Sequence, residues 1–344
     1  MTSRNLVMNT LEFTNIKWRV PRNTGVSRWA EIHYPNESAA IRRDYPDDIV
    51  FPQVGYAQSS ISKGDMNAAG VHIDPWGCKF TNICDGIIGE VKDPLIPEQD
   101  ENWDDTSAIH IPTELLSFDI DEVNAFCRNT DKFVLSGFFP RPFEQLQFIR
   151  GTEQLLADLM LQPKGMRCFI EKMHAFYCEG MEKWSKTEVD SLFFMDDWGT
   201  QRSLLVNPNT WKEMFMPLYK DYVDIAHRAG KKILMHSDGQ ILAIFPYLIE
   251  MGVDAISSQV GCMGTDNLAR YRGKITFWGE IDRQHALPYG TEEDIRNIVQ
   301  DICDKLWQDG GCLASCEFGA GAKPENVRSV YRIWNEIRGF NDAY

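Results

Sequence analysis

Lys231-Lys232-Ile233-Leu234-Met235-His236-Ser237-Asp238-Gly239 is the stretch on which the reading of this chain turns. Ile233, Leu234 and Met235 form a short apolar run, the mark of a buried strand, and the run opens into small and polar residues. A His and an Asp two apart at a strand end are metal-ligand types, placed where parallel α/β barrels keep their active sites. Two later stretches finish in the same manner: Ile275-Thr276-Phe277-Trp278-Gly279-Glu280-Ile281-Asp282 and Gly311-Cys312-Leu313-Ala314-Ser315-Cys316-Glu317. The expectation is that His236, Asp238, Glu280 and Cys316 converge on one metal ion.

Outward from that stretch, strands and helices alternate. Helix 121–128 precedes a strand over 132–139 that stops at Pro140, and helices follow over 143–149 and 153–160. Pro163 opens a longer helix whose stripe is Met166, Phe169, Ile170, Met173 and Tyr177. Strand 191–195 runs into Asp196-Asp197-Trp198-Gly199-Thr200-Gln201. Asn207 caps a helix that begins at Pro208 and buries Trp211, Phe215, Leu218, Tyr222 and Ile225. Then come helix 241–251, strand 255–257, a short helix over 267–271, and strand 275–278. A helix opened by Thr291 with Asp294 in capping-box spacing, strand 312–315, and a helix after Pro324 complete the series. Strands separated by single helices pair in parallel, and this many units predict an α/β fold, a (β/α)8 TIM barrel over 111–344. Residues 1–110 are rich in Pro, Gly, Asp and Trp and show little periodicity. They read as an irregular N-terminal extension of turns and short strands covering the barrel mouth. No second core and no sequence repeat is evident.

With 344 residues, 43% of them hydrophobic, the chain can bury one large core. A net charge of -15 repels phosphate backbones and anionic lipid, which argues against nucleic acid and membrane surfaces as partners. No apolar run approaches a membrane span. The opening Met1-Thr2-Ser3-Arg4-Asn5-Leu6 is too polar for a secretory signal. The nine cysteines, odd in number and scattered, therefore read as reduced thiols of a cytoplasmic protein, most of them core residues.

The residues just after each strand gather on one face of a barrel. Here they are Asp196, Asp197, Trp198 and Gln201; His236 and Asp238; Ser258 and Gln259; Glu280 and Asp282; Cys316 and Glu317. A crowd of acids with one His and one Cys suits Zn2+. A hydrogen-bonded His among helix-capping acids fits the spacing as well, and both readings stay open at this point. One of Asp196 and Asp197 is expected to orient substrate or act as a base. Trp198 would be a flat wall, Gln201 a substrate contact, and Trp76, in the turn Asp74-Pro75-Trp76-Gly77, a lid residue over the substrate. Gly199 equally fits a plain turn. His33, His72, His110, His174, His227 and His285 have no partner at ligand spacing and are left as structural or exposed. No Gly-rich phosphate loop, nucleophile elbow or paired CxxC occurs.

These motifs resemble the uroporphyrinogen decarboxylase superfamily, in particular its cobalamin-dependent methyltransferase branch. The resemblance spans most of the chain. It rests on Asp74-Pro75-Trp76-Gly77-Cys78 with Gly86 and Gly89-Glu90-Val91, on Asp196-Asp197-Trp198-Gly199-Thr200-Gln201, and on His236-Ser237-Asp238-Gly239. Gly252-Val253-Asp254-Ala255, Gly279-Glu280-Ile281-Asp282 and Pro324-Glu325-Asn326 add to it. It implies a (β/α)8 barrel. Decarboxylases of the family use no metal and hold an acidic porphyrinogen with an Arg-rich segment in an Arg-Gln-Ala-Gly-Arg context. Arg19, Arg22 and Arg28 lie in a different context, which argues against that substrate. The methyltransferases hold zinc with a His-x-Cys pair after one strand and a Cys after the last. His236 and Cys316 match, and Asp238 stands where the first Cys would be. A carboxylate in place of a thiolate makes zinc a harder Lewis acid, suited to an oxygen leaving group.

The resemblance thus implies a zinc-dependent methyltransferase. It would move a methyl group from a small methylated donor, best an aryl methyl ether, to the cobalt(I) of a separate corrinoid protein. No Asp-x-His-x-x-Gly segment is present, so the cobalamin would come on that partner. Relatives use methanol, methylamines, betaines and aromatic ethers. The alternatives are a metal-free decarboxylase and a methylcobalamin:thiol methyltransferase, the latter disfavoured by Asp238. The sequence leaves the oligomeric state open.

Overall fold

The computed structural model describes residues 1–339; residues 340–344, the end of the expected barrel segment, lie outside the described residues. Eleven strands follow in chain order: β1 (Arg22–Asn23), β2 (Ile49–Val50), β3 (Gly70–Ile73), β4 (Lys79–Asn82), β5 (Glu90–Val91), β6 (Phe133–Val134), β7 (Ser191–Met195), β8 (Lys232–Ser237), β9 (Ala255–Ser258), β10 (Thr276–Glu280) and β11 (Cys312–Ser315). Six pair in one parallel sheet, in the order β1-β11-β10-β9-β8-β7, and β2 pairs in parallel with β6. Backbone bonds run between the two sheets: Asp190 N to Val134 O and Ser136 N to Ser191 O, each at 2.9 Å, on one side, and Asp48 N to Arg22 O at 2.9 Å on the other. Strands β3, β4 and β5 form a separate antiparallel sheet.

Side-chain alternation along the strands sorts two cores. Ile49, Phe133, Leu135, Phe193, Leu234, Ala255, Trp278 and Leu313, drawn from seven parallel strands or their edges, meet in one small cluster. Their neighbours in sequence, among them Leu192, Ile233, Ile256, Phe277 and Cys312, face the large helix-packed core. Helix α1 (Ser3–Leu11) closes the small cluster at the amino ends of the strands with Val7 and Leu11. Its position is tied by Gly311 N to Thr10 O at 2.9 Å and by Arg4 N to Asp131 O at 2.7 Å.

Four further helices matter below: α2 (Pro142–Arg150), α3 (Lys164–Ser185), α4 (Met216–Arg228) and α5 (Pro324–Arg338). The sequence-predicted helix from Pro208 exists and Asn207 caps it, but it breaks at Phe215, because Pro217 brings no N–H to continue the ladder. The capping box at Thr291 and Asp294 is formed as expected.

The N-terminal stretch departs from the expectation of turns and short strands. It holds helices Ser3–Leu11, Arg28–His33 and Pro35–Asp44, and β1 and β2 join the parallel sheets. Two-residue strands carry no readable period, so composition alone hid them. Conversely, the strand expected over 132–139 is a strand only at Phe133–Val134, with Leu135 bridging to Ser191 beyond it. Among the described residues no helix is long and apolar enough to cross a membrane.

Candidate metal centre

On β8 the alternation that puts Leu234 into the small cluster carries His236 to the same face, one step nearer the carboxyl end. Its neighbours in register are Met195 of β7 and Ser257 of β9. Glu280 follows Trp278 by two and occupies the same face of β10.

The loops leaving β7 and β8 are joined almost residue by residue. Asp196 N donates to His236 O at 3.0 Å, Gly199 N to Asp238 O at 3.1 Å, and Gln240 N to Thr200 O at 2.7 Å. Trp198 N donates to Ser237 Oγ at 3.2 Å, and Asp238 N to Asp197 Oδ1 at 2.9 Å. Gly199 and Gly239 make this possible. A Cβ on Gly199 would lie 2.3 Å from Gln240 N, and one on Gly239, at φ 78°, would lie 2.2 Å from Gly199 O. The loops touch backbone to backbone, and Asp197 and Asp238 are thereby brought together beside His236.

Asp197, His236 and Asp238 offer ligand atoms that all lie within 4.8 Å of one another. His236 Nε2 is 3.6 Å from Asp197 Oδ1 and 3.5 Å from Asp238 Oδ1. Ser257 Oγ is 3.0 Å from Nδ1; in the tautomer that donates to it, Nε2 is left free for the carboxylates' side. Burial works against a charged imidazole, yet Asp238, Asp197, Glu280 and Glu144 outweigh it and raise the His236 pKa. Burial pushes Glu280 up to about 7; His236 counteracts this and Asp238 adds to it. Glu144 is raised too, by burial first and then by the charge of Asp197.

Three enclosed oxygens, Asp238 Oδ1, Glu280 Oε2 and Glu144 Oε2, have no hydrogen-bond partner among the described residues. Arg283 spans the open side, paired with Asp238 and Glu317, and its Nη1 is 3.9 Å from Glu280 Oε2. Five carboxylates, Glu144, Asp197, Asp238, Glu280 and Glu317, thus interact with one another, with two guanidiniums, Arg283 and Arg141, and with one imidazole. Leaving such groups buried and uncompensated costs several kcal/mol per ion. A divalent cation on the His236 side would offset that charge and give the orphan oxygens a partner, so the residues fit a metal. The donor set is oxygen and nitrogen, which suits a hard or borderline ion.

The other expected site residues divide. Cys316 does not join the cluster. Leu313 and Ser315 face inward on β11, so Cys316 falls on the outer face, wholly buried. There its Sγ lies 3.4 Å from Tyr331 Oη on α5, and burial pushes the thiol up to about 12. Asp196 is fully buried and accepts from Phe143 N at 3.0 Å, Glu144 N at 2.8 Å and Tyr219 Oη at 2.6 Å. It fixes the first turn of α2, and with it Glu144, rather than meeting a substrate. Trp198 is no exposed wall: it stacks on Phe143 at 3.9 Å and donates Nε1 to Tyr219 Oη at 2.9 Å. Gln201 reaches Gln259 at 3.5 Å and lines a cavity of about 230 Å3 with Glu280 and Asp282.

Trp76 lines a second cavity, of about 280 Å3, together with Tyr56, Phe138, Phe139, Phe176 and Tyr177. Its wall includes Met195, the residue before Asp196. A larger cavity of about 510 Å3 adjoins it through Met66, Asp74, Pro75 and Arg141. Arg141 makes no hydrogen bond or ion pair from its side chain among the described residues; its guanidinium lies over the Phe148 ring at 5.5 Å. Arg283, Glu144 and Arg141 were not singled out from sequence. Arg283 lies one residue beyond the quoted Gly279–Asp282 motif, and Glu144 follows Pro142 at a helix start, where an acid is commonplace.

The fold and this cluster define a parallel α/β protein with a polar, metal-competent centre at the carboxyl ends of its strands. The chain belongs to the uroporphyrinogen decarboxylase (URO-D) family, whose pattern it matches over residues 81–337. In structure it is similar to a methyltransferase from Methanosarcina mazei, with a TM-score of 0.63 at 11% identity over 98% of this chain and 99% of that one. At that identity the likeness speaks for the fold. A looser likeness, TM-score 0.39 at 12% identity over 64% of this chain and 86% of the other, is to 3-keto-D-glucoside 4-epimerase from E. coli and carries no argument. No curated protein sequence matches the chain.

Proposed function

We propose that the chain is a zinc-dependent methyltransferase of the cytoplasm, moving a methyl group from an aryl methyl ether to the cobalt(I) of a separate corrinoid protein. The eight parallel strands are read as a closed (β/α)8 barrel, with residues 51–110 as its cover. The observation that carries the proposal is the convergence of Asp197, His236 and Asp238 beside an aromatic cavity, with no sulfur among the donors. Asp197, His236 and Asp238 would hold the ion, Glu280 would stand beside it, and Ser257 would orient the imidazole. The chemistry supplied by bound zinc is Lewis-acid polarisation of the ether oxygen.

The rest falls to the chain. Tyr56, Trp76, Phe138 and Phe176 would hold a flat ring, and Arg141, which lines the same cavity, would meet a polar substituent. Arg283 keeps Asp238 from swinging away. The C–O bond would break with both electrons passing to oxygen, the partner's cobalt(I) would supply the electron pair that accepts the methyl group, and the departing phenoxide would take a proton. Glu144, whose carboxyl pKa is raised to about 7 by burial and the charge of Asp197, would give that proton. The acid-rich mouth repels a polyanionic porphyrinogen, which sets porphyrinogen decarboxylation aside.

The test incubates the protein with reduced corrinoid protein and a panel of aryl methyl ethers, methanol, methylamines and betaines. It follows methylation of the corrinoid by absorbance and the release of phenol. Methylation only with the ethers is the expected result. Methylation with none of them, alongside release of carbon dioxide from carboxylated substrates, would overturn the proposal in favour of a metal-free decarboxylase.

A further inference from the structure

His174 and Cys178 stand one turn apart on α3, so their side chains share a face. That face packs against α4, which brings Asp221 opposite them. His174 Nε2 is 2.9 Å from Asp221 Oδ2 and 3.5 Å from Cys178 Sγ. All three ligand atoms lie within 4.8 Å of one another. The other ring nitrogen, Nδ1, is 3.3 Å from the hydroxyl of Tyr222, which is wholly buried and cannot turn away. We infer that His174, Cys178 and Asp221 form a second divalent-metal site, on the outer face of the protein, that clips α3 to α4.

Magnitudes support the inference. Around a tetrahedral zinc, with Zn–N and Zn–O of about 2.0 Å and Zn–S of about 2.3 Å, N···O separations are roughly 3.3 Å and N···S roughly 3.5 Å. The N···S distance already stands there, and the N···O pair must open by only a few tenths of an ångström. Asp221, whose side chain is 60% exposed, can move that far. A His–Asp ion pair alone accounts for the 2.9 Å contact. It does not involve the thiol, whose Sγ stands 3.5 Å from Nε2 and 3.7 Å from Nδ1. Tyr222 holds Nδ1 as a metal-binding imidazole's second nitrogen is held, which leaves Nε2 for the ion. The exposed side of Asp221 admits an ion and leaves a fourth position to water. One nitrogen, one sulfur and one oxygen select a borderline or soft ion, zinc or cobalt(II), over magnesium or calcium.

The site reads out separately from the centre at the strand ends, whose donors include no thiol. Chelator-treated protein is titrated with Co2+, then with Zn2+. A near-ultraviolet thiolate-to-cobalt absorption is expected, lost in Cys178→Ser and in His174→Gln, and unaffected by His236→Ala. A second measurement needs no variant: Zn2+ should slow alkylation of Cys178 about ten-fold and leave the exposed Cys168, on the same helix, unprotected. A wild-type spectrum without the absorption, an absorption that survives in Cys178→Ser, or equal alkylation of Cys178 with and without Zn2+ overturns the site.

Discussion

At their amino ends the parallel strands close on α1, where Val7 and Leu11 fill the small core and backbone bonds tie the helix down. At their carboxyl ends the same strands open on His236, Glu280 and the acids of two joined loops, with buried oxygens left unpaired. One end satisfies its groups and is apolar inside; the other gathers five carboxylates around one imidazole and two guanidiniums and leaves oxygens unpaired. A set of strands can carry so strained a cluster because its stability is secured elsewhere.

Substitutions at the two ends should therefore separate activity from stability. His236→Ala, the largest effect, is expected to lower methyl transfer about a thousand-fold, roughly 4 kcal/mol in the barrier, with little change in the denaturant midpoint. Should the variant unfold early and keep its rate per folded molecule, the contrast is broken. Leu11→Ala should do the reverse and cost about 2–5 kcal/mol of stability, with zinc content and rate per folded molecule unchanged.

A pH series sharpens the same contrast. Glu280 ionises near 4.5 in the unfolded chain and near 7 in the fold, so between those values the folded state keeps a proton that the unfolded state has lost. Stability of the zinc-free protein should fall as pH rises from 4.5 to 7, by about 3 kcal/mol from Glu280 alone, with the raised Glu144 and His236 adding in the same direction. Added zinc, which takes the ionised carboxylates, should flatten that slope; denaturant melts at four pH values with and without zinc read it directly. The smallest effect belongs to Cys316→Ala, expected to cost about 1 kcal/mol and to leave zinc content and rate within two-fold. Loss of zinc in that variant would mean that the thiol turns inward after all.

Much of this was legible in the residues and some was not, for reasons of geometry. Ile233-Leu234-Met235 announced its strand, and the polar residues behind it announced the cluster, since both follow from alternation along one strand. Cys316 went astray by the same rule. It stands after the last strand, as His236 stands on β8, but one place out of step with Leu313, so it faces α5. Asp196 and Trp198 read as site residues because of where they lie; their partners, Phe143, Glu144 and Tyr219, come from distant segments that no local pattern reveals. His174 was left without a partner although Cys178 stands one turn on, because Asp221, the other member of the group, enters from another helix.

The pair of glycines that lets the β7 and β8 loops touch has a consequence for the lineage of this protein. Gly199 and Gly239 are expected to be kept or lost together: any side chain at either would wedge the loops apart and part Asp197 from Asp238. Neither can drift alone, and no neighbouring change restores the lost space, because it is backbone that fills it. A relative that has kept one glycine and replaced the other should have abandoned this chemistry while remaining soundly folded.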